Sequence, residues 1–325
     1  MKAFVLEYGE LKFKEMDEPV AGPNEVIVAL RTAGMNRRDL GLPKRVGNDK
    51  EALILGSDGA GVVESVGEGV TRVEVGDEVI INPALCWYDN SEAPPKEFDI
   101  LGMPGHGTFA EKIALSEEQV EKKHAFLSWE EAGVFALAAL TGYRALFTKG
   151  QIKRGETIFI PAAGSGVATY LISFAKNVGA RVIVTSRSEE KRNKAKELGA
   201  DLVIDTNSNW KEVLADETVD IVIDSVGEAT FNRSLDVLKK GGRIVIFGAT
   251  TDDIVDFNLR KFFYGQYQLI GTTMGSRQEL QAAMEHIENF QMKPVVDKVF
   301  PLDEAQAAFD YLKEGKQFGK VAIQI

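Results

Sequence analysis

The chain has 325 residues, enough for two domains, and 44% hydrophobic content to fill their cores. Its formal net charge of -11 argues against nucleic acid or an anionic membrane surface as the main partner. A single cysteine, Cys86, excludes an internal disulfide, and no signal-peptide core or apolar run of membrane-spanning length is present, so a soluble cytoplasmic protein is expected.

The first third reads as β-rich. Strand-like runs fall at 2–7, 11–15 and 25–30, and β-branched runs bounded by glycines follow at 59–67 and 76–81. Their spacing predicts a small barrel or partly open antiparallel sheet. From 83 to 104 the pattern dissolves, and the adjacent Pro94 and Pro95 mark a long surface loop. Order returns at 107–115. Ser128-Trp129-Glu130-Glu131 then fits a capping box, opening an apolar helix pattern that runs to about Phe147. Tyr143 and Arg144 lie inside that pattern and read as packing residues.

From there strands and helices alternate. Strand-like runs at 158–160, 181–186, 202–204, 220–226, 243–247 and 268–272 are separated by helix patterns such as 189–198 and 229–238. Such alternation predicts an α/β domain with a doubly wound parallel sheet. A longer helix follows Ser276. The tail, strand-like at 294–301 and 320–325 around a helix at 303–313, is too short to fold alone and is expected to return to the first domain.

The stretch 157–179 is where chemistry enters. A buried strand runs into Ala162-Ala163-Gly164-Ser165-Gly166-Val167-Ala168, and Val167, Leu171, Phe174 and Val178 then mark one helical face. Small residues let the backbone approach a dinucleotide pyrophosphate, and the helix N-terminus offers unpaired N–H groups. The third glycine of GxGxxG falls on Thr169, so the turn by itself also fits a tight strand–helix junction in a core.

The order of these parts resembles the medium-chain dehydrogenases/reductases, and more closely their zinc-independent quinone oxidoreductase branch. The landmarks are Gly59-Ala60-Gly61-Val62-Val63, Val75-Gly76-Asp77-Glu78-Val79, Gly107-Thr108-Phe109-Ala110-Glu111, Thr141-Gly142-Tyr143, Leu198-Gly199-Ala200-Asp201, Asp224-Ser225-Val226-Gly227 and Gly241-Gly242-Arg243-Ile244-Val245. The quinone reductases carry AxxGxxG at the turn, where this chain has Ala162, Ser165 and Ala168. The resemblance implies a discontinuous GroES-like catalytic domain, 1–123 with 292–325, and a Rossmann cofactor domain, 124–291.

Zinc-dependent members of the family have a Cys after an early strand, a His in Gly-His-Glu-Gly, and a Cys or Asp before the central domain. Here these positions read Asn36, Ser57 and the vicinity of Phe135 and Ala136. Cys86 alone cannot build a four-cysteine lobe, and His106, His124 and His286 have no ligand-spaced partners. No bound metal is expected, which favours reduction of an already polarised acceptor over alcohol oxidation.

An NAD enzyme of this fold places a carboxylate on the ribose 2′-OH at the end of the second strand. Here that strand runs into Ser186-Arg187-Ser188, with Lys191 just inside the next helix, a set suited to a 2′-phosphate and hence to NADPH. The same residues also fit a capped helix with solvated charges.

By the resemblance, Asn36 faces the nicotinamide and donates to the substrate carbonyl, Asp39 and Ser57 line the same wall, and Arg37 approaches the cofactor phosphates. Cofactor contacts are further implied for Thr141, Ala163, Gly164, Ser165, Gly166, Val167, Gly227, Phe247, Gly248, Ala249, Thr272, Thr273, Met274 and Lys320. The alternatives at these sites are turn formation by Asn36 and Asp39 and positive φ at Gly227 and Gly248. The expected activity is NADPH-dependent, zinc-independent hydride transfer to a quinone or α,β-unsaturated carbonyl acceptor, with the loop 83–104 and the segment 40–53 shaping the pocket. A zinc-less alcohol dehydrogenase and a cofactor-binding protein with little turnover are the rivals. The family's habit implies a homodimer.

Overall fold

The computed structural model describes residues 1–46 and 51–325. Residues 47–50, within the 40–53 segment expected to border the acceptor pocket, lie outside the described residues. The chain forms two compact units, Met1–Ala139 with Gly275–Ile325, and Leu140–Met274.

The first unit opens with β1 (Lys2–Glu7), β2 (Glu10–Glu15) and β3 (Glu25–Gly34). β4 (Leu53–Ile54), β5 (Asp58–Val66), β6 (Glu78–Ile81), β7 (Lys112–Ser116) and β8 (Val120–Lys122) follow. β3 is its centre: it pairs antiparallel with β5 and with β7, and its alternate residues Val26, Val28 and Leu30 are buried against Val63, Val79 and Ile113. This is the half-buried alternation expected of an antiparallel sheet wrapped on one core. The loop 83–104 departs from a surface loop. Ala84, Trp87 and Leu101 are buried, Trp87 packs edge-on against Phe98, and two-residue strands at Ala84–Leu85 and Asp99–Ile100 pair. Isolated apolar residues among prolines carry no periodic signal, so their burial could not be read from pattern.

Ser128 and Glu131 close the expected capping box on helix α1 (Trp129–Gly133). The single helix expected to continue to Phe147 is instead three pieces: α1, α2 (Ala136–Tyr143) and a π-helical turn, Arg144–Lys149. α1 packs on β3 and β5, and that contact carries the unit boundary past residue 123 to Ala139. Gly34 permits the approach: a Cβ there would lie 2.7 Å from the Gly133 carbonyl oxygen and 2.9 Å from Asp58 Cβ.

The second unit holds β9 (Thr157–Ile160), α3 (Gly166–Asn177), β10 (Arg181–Ser186), α4 (Glu189–Glu197), β11 (Leu202–Asp205), β12 (Val219–Asp224), α5 (Glu228–Val237), β13 (Leu238–Ile246) and β14 (Gln268–Gly271). Its strands form one parallel sheet in the order β11-β10-β9-β12-β13-β14. Ile158, Phe159, Val182, Ile183, Ile221, Val222, Ile244 and Val245 are fully buried, as continuous apolar runs covered on both faces must be. All the strands point one way, so the loops after β9, β10, β12, β13 and β14 gather along one edge.

Helix α6 (Arg277–Asn289), α7 (Ala305–Glu314), β15 (Val296–Pro301) and β16 (Lys320–Gln324) belong to the first unit. β16 pairs with β3 on one side and β15 on the other, setting Ala322 opposite Gly34. The tail thus returns to the first unit, and it does so from Gly275 rather than from 292, because the α6 start is held there: the Arg277 N–H donates to the Trp87 carbonyl. Among the described residues no helix is long and apolar enough to cross a membrane.

Candidate functional site

In the first unit a buried polar cluster forms where β3, β5 and β16 meet. Leaving β3, the chain makes a tight turn at Asn36, whose N–H donates to Asp39 Oδ2 at 2.7 Å. The Asn36 amide nitrogen donates to Asp58 Oδ2 at 3.0 Å and to the Gly34 carbonyl at 3.4 Å. Its amide oxygen accepts from Lys320 Nζ at 2.5 Å. Lys320 also donates to the Met35 carbonyl at 2.8 Å and to Asp58 Oδ2 at 3.0 Å. The other Asp58 oxygen accepts the Leu137 N–H at 2.7 Å. All three ammonium hydrogens and both carboxylate oxygens of this buried ion pair have partners, the condition under which such a pair is tolerated.

Ser57 lies beside the cluster. Its hydroxyl donates to the Leu101 carbonyl at 2.6 Å and accepts from Arg38 Nη1, which also reaches that carbonyl. Asp39 is wholly buried, and its Oδ1 has no hydrogen-bond partner among the described residues. Burial pushes its carboxyl up to about 6, against the opposing pull of the Asn36 N–H, Arg38 and Lys320.

The three residues expected to do chemistry, Asn36, Ser57 and Asp39, are all buried and bonded within the protein. Both amide hydrogens of Asn36 are engaged within the protein, leaving none for an acceptor carbonyl. The Ser57 hydroxyl is committed to Leu101 and Arg38, and Ser57 and Asp39 are inaccessible to solvent. In this arrangement the side chains of all three are held by the protein's own groups. The ammonium of Lys320, implied as a cofactor contact, has all three hydrogens engaged with Met35, Asn36 and Asp58. Arg37 is exposed, while Arg38 beside it turns inward. Asp58 and Arg38 escaped the sequence reading. The available signal was a carboxylate at the first position of β5, directly ahead of its apolar run.

In the second unit the turn after β9 has the anticipated form. Ser165 caps α3, its hydroxyl accepting from the Ala168 N–H at 3.1 Å. The amides of Gly166 and Val167, in the first helical turn, precede any intrahelical acceptor. Ala163 is buried and its N–H donates to the Thr185 carbonyl, tying the turn to β10. A Cβ on Gly164 would lie 2.8 Å from Lys191 Cδ and 3.2 Å from Lys191 Nζ, so the lysine side chain extends across the turn.

At the end of β10, Ser186 is half-buried and its hydroxyl accepts from Ser188 N–H, while Arg187 is exposed. Arg192, another residue the sequence reading passed over, donates to the Ser186 carbonyl at 2.7 Å. The neighbouring β11 ends in Asp205, whose carboxylate accepts from Asn207 N–H and pairs with Arg192. The end of β10 thus presents hydroxyls and cations with no carboxylate of its own.

The remaining expected contacts sit on the same sheet edge. Gly227 has φ 93°, and a Cβ would clash with the Asp252 carbonyl at 2.7 Å, so this glycine is required by backbone geometry. Gly248 has no such need, its nearest neighbour being Ser225 at 3.7 Å. Phe247 N–H donates to the Asp224 carbonyl and Thr272 N–H to the Ile246 carbonyl, placing Phe247, Gly248 and Ala249 beside the loop after β12 and Thr272 and Thr273 beside β13. Met274 is buried with a positive φ, and Thr141 is buried in α2.

Two family models match the chain: the alcohol dehydrogenase GroES-like domain over residues 22–125 and the zinc-binding dehydrogenase domain over 166–289. The zinc-type alcohol dehydrogenase-like protein YogA of Leptosphaeria maculans is 32% identical over 98% of this chain and 95% of its own length. The chain belongs to the medium-chain dehydrogenase/reductase superfamily. A solved NAD-dependent alcohol dehydrogenase superposes on all of this dehydrogenase/reductase and all of its own chain with a TM-score of 0.92 at 34% identity. The 2-octenoyl-CoA carboxylase reductase CinF, solved with NADP and 2-octenoyl-CoA, covers 99% of this chain and 87% of its own, with a TM-score of 0.89 at 27% identity.

The family model's name raises zinc, and the donor set here does not fit it. Asn36, Ser57 and Asp58 offer no thiolate or imidazole, and the one carboxylate among them is already bonded to an ammonium. Among the described residues no group of three His, Cys, Asp or Glu side chains could hold a metal ion. His106 accepts from Ile54 N–H, His124 stacks on Phe126 and lies 3.6 Å from Glu288, and His286 stacks on Phe290. A dinucleotide phosphate does fit the second unit, whose half-buried turn residues 164–167 open a helix and carry Lys191 across them.

Proposed function

We propose that this dehydrogenase/reductase is an NADPH-dependent, zinc-independent reductase that delivers hydride to an α,β-unsaturated carbonyl compound or a quinone. The carrying observation is the end of β10, which brings hydroxyls and cations but no carboxylate of its own, with Lys191 laid over Gly164. Lys191 and Arg187 would pair with the 2′-phosphate, Ser186 would donate to it, and the first-turn amides of α3 would take the pyrophosphate. Bound there, NADPH supplies the hydride from C4 of its nicotinamide. The cluster of the first unit offers a metal no thiolate or imidazole, and its Asp58 carboxylate is already bonded to an ammonium, which favours an acceptor already polarised by conjugation over alcohol oxidation. The likeness to CinF, solved with NADP and an enoyl thioester, supports the same choice.

The likeness to alcohol dehydrogenases favours a second reading, alcohol oxidation with NADP⁺. The deciding experiment is NADPH oxidation by chelator-treated protein against enones, enoyl thioesters and quinones, with alcohols and NADP⁺ in parallel. Turnover of the unsaturated acceptors supports the reductase; turnover of alcohols alone, or of no acceptor while NADPH is bound, overturns it.

A homodimer is part of the proposal. β14 is the last strand of its sheet, and Phe263, Tyr264 and Leu269 beside or on it are 52%, 65% and 45% exposed. Pairing two such edges would cover both the unpaired backbone and the apolar side chains.

A further inference from the structure

Two neighbouring strand ends in the second unit present opposite charges. β10 and β11 pair with Ser186 opposite Asp205, so the last residues of both strands share one edge of the sheet. β10 brings hydroxyls and cations to that edge. β11 brings the Asp205 carboxylate, whose side chain is 44% exposed. A carboxylate at such an edge is suited to accept a ribose 2′-OH and repels a 2′-phosphate. Arg192 of α4 lies between the two ends. Its Nη1 donates to the Ser186 carbonyl at 2.7 Å and stands 3.4 Å from Asp205 Oδ2. The other carboxylate oxygen accepts the Asn207 N–H at 2.8 Å. Both oxygens of Asp205 therefore already face donors of the protein.

We propose, resting on the NADPH reading above, that Arg192 is a positioning residue that sets cofactor specificity by masking Asp205. As a stabilising contact the pair is minor, because it is long, single-pronged and has one exposed partner. Its consequence is electrostatic. With Arg192 in place the β11 carboxylate is neutralised beside the 2′-phosphate site, and Arg187 and Lys191 act on the phosphate without a competing anion. Without Arg192, Oδ2 becomes a like charge against the phosphate and an open acceptor for the 2′-hydroxyl of NADH. The effect of Arg192 thus runs through Asp205. A guanidinium that bound the phosphate directly would be missed whether or not Asp205 were present.

Fluorescence titration of the free protein with NADPH and with NADH gives two dissociation constants and their ratio. The wild-type ratio comes first: a protein that binds NADH as tightly as NADPH fails the cofactor reading itself and takes the masking role with it. Given a preference for NADPH, Arg192→Ala should weaken NADPH about tenfold relative to NADH, the size of one charge–charge interaction at a partly exposed site. Adding Asp205→Asn, which keeps an oxygen for the Asn207 N–H, should bring the ratio back to within about threefold of the wild-type value. Arg192→Gln covers the case in which Arg192→Ala does not fold. It retains an N–H donor for the Ser186 carbonyl but no charge, and it should show the same selective loss and the same recovery with Asp205→Asn. A loss shared equally by both cofactors would make Arg192 a structural tie alone. A selective loss that Asp205→Asn leaves uncorrected would make it a direct phosphate ligand. Either result overturns the proposal while leaving the NADPH reading standing.

Discussion

Replacing Asp39 by asparagine should abolish a pH-dependent penalty that the wild-type protein carries. The Asp39 carboxyl is fully buried, one of its oxygens has no partner among the described residues, and burial raises it from 3.8 to about 6. Below pH 3.8 folded and unfolded chains both hold the proton. Between 3.8 and about 6 the folded chain keeps a proton that the unfolded chain releases, so the stabilisation present at low pH is lost as pH rises through this window. At roughly 1.4 kcal/mol per pH unit, the full loss is about 3 kcal/mol by neutral pH. The variant has no such titration, although its amide places a donor where the orphaned oxygen was, a constant cost of about 1–3 kcal/mol. Denaturant unfolding of both proteins from pH 4 to 7.5 separates the two effects. The wild-type protein should lose stability relative to Asp39→Asn up to about pH 6 and then run parallel to it. A difference that stays flat across the range would refute the assignment of a raised carboxyl to Asp39.

Arg187→Ala and Lys191→Ala should each weaken NADPH by roughly 1–3 kcal/mol while leaving NADH nearly unchanged, read by fluorescence titration; equal losses for both cofactors would remove the 2′-phosphate assignment. Prolonged treatment with a strong chelator should leave NADPH-dependent turnover intact, and activity restored only by added zinc would contradict the fit of the donor set. Leu269→Lys on the β14 edge should shift the protein to a monomer in sedimentation, whereas an unchanged mass would place the interface elsewhere. Arg243 donates to the Gly150 carbonyl and pairs with Glu156 in a partly buried setting, so Arg243→Ala should cost about 2–4 kcal/mol in denaturant unfolding. A loss below about 1 kcal/mol would mean that water replaces those bonds without penalty.

Period and punctuation made most of the fold legible. The parallel strands are short β-branched runs with glycines between them, and the bounds of β10 match the sequence reading because Val182-Ile183-Val184-Thr185 stands between Gly179 and the polar Ser186-Arg187-Ser188. The Ser128 capping box announces its helix, since a hydroxyl and a carboxylate three residues apart have few other uses at such a point. The breaks between 133 and 149 were not legible, because alanine and leucine favour an α-helix throughout and the π-helical turn answers to tertiary packing. Of the site, the phosphate turn could be read because it is local: strand, small residues and helix are contiguous. The buried cluster could not. Asn36, Asp58 and Lys320 each have a bland explanation when read alone, and only the pairing of β3 with β5 and β16 brings them together.

The ion pair at the heart of the first unit also sets an order of assembly. Lys320 follows Asp58 by 262 residues, and the whole of Leu140–Met274 is made between them. During synthesis the second unit is a continuous stretch that can complete its sheet as it emerges. The first unit must wait with β3 lacking β16 as a neighbour and Asp58 lacking its counter-charge. Its early chain is therefore an open edge and an uncompensated carboxylate for the time it takes to translate the rest, the state in which aggregation and chaperone capture compete with folding. Closure comes with a strand of five residues, Lys320–Gln324. A fusion or tag placed directly after that strand acts on the last step of folding rather than on a passive end.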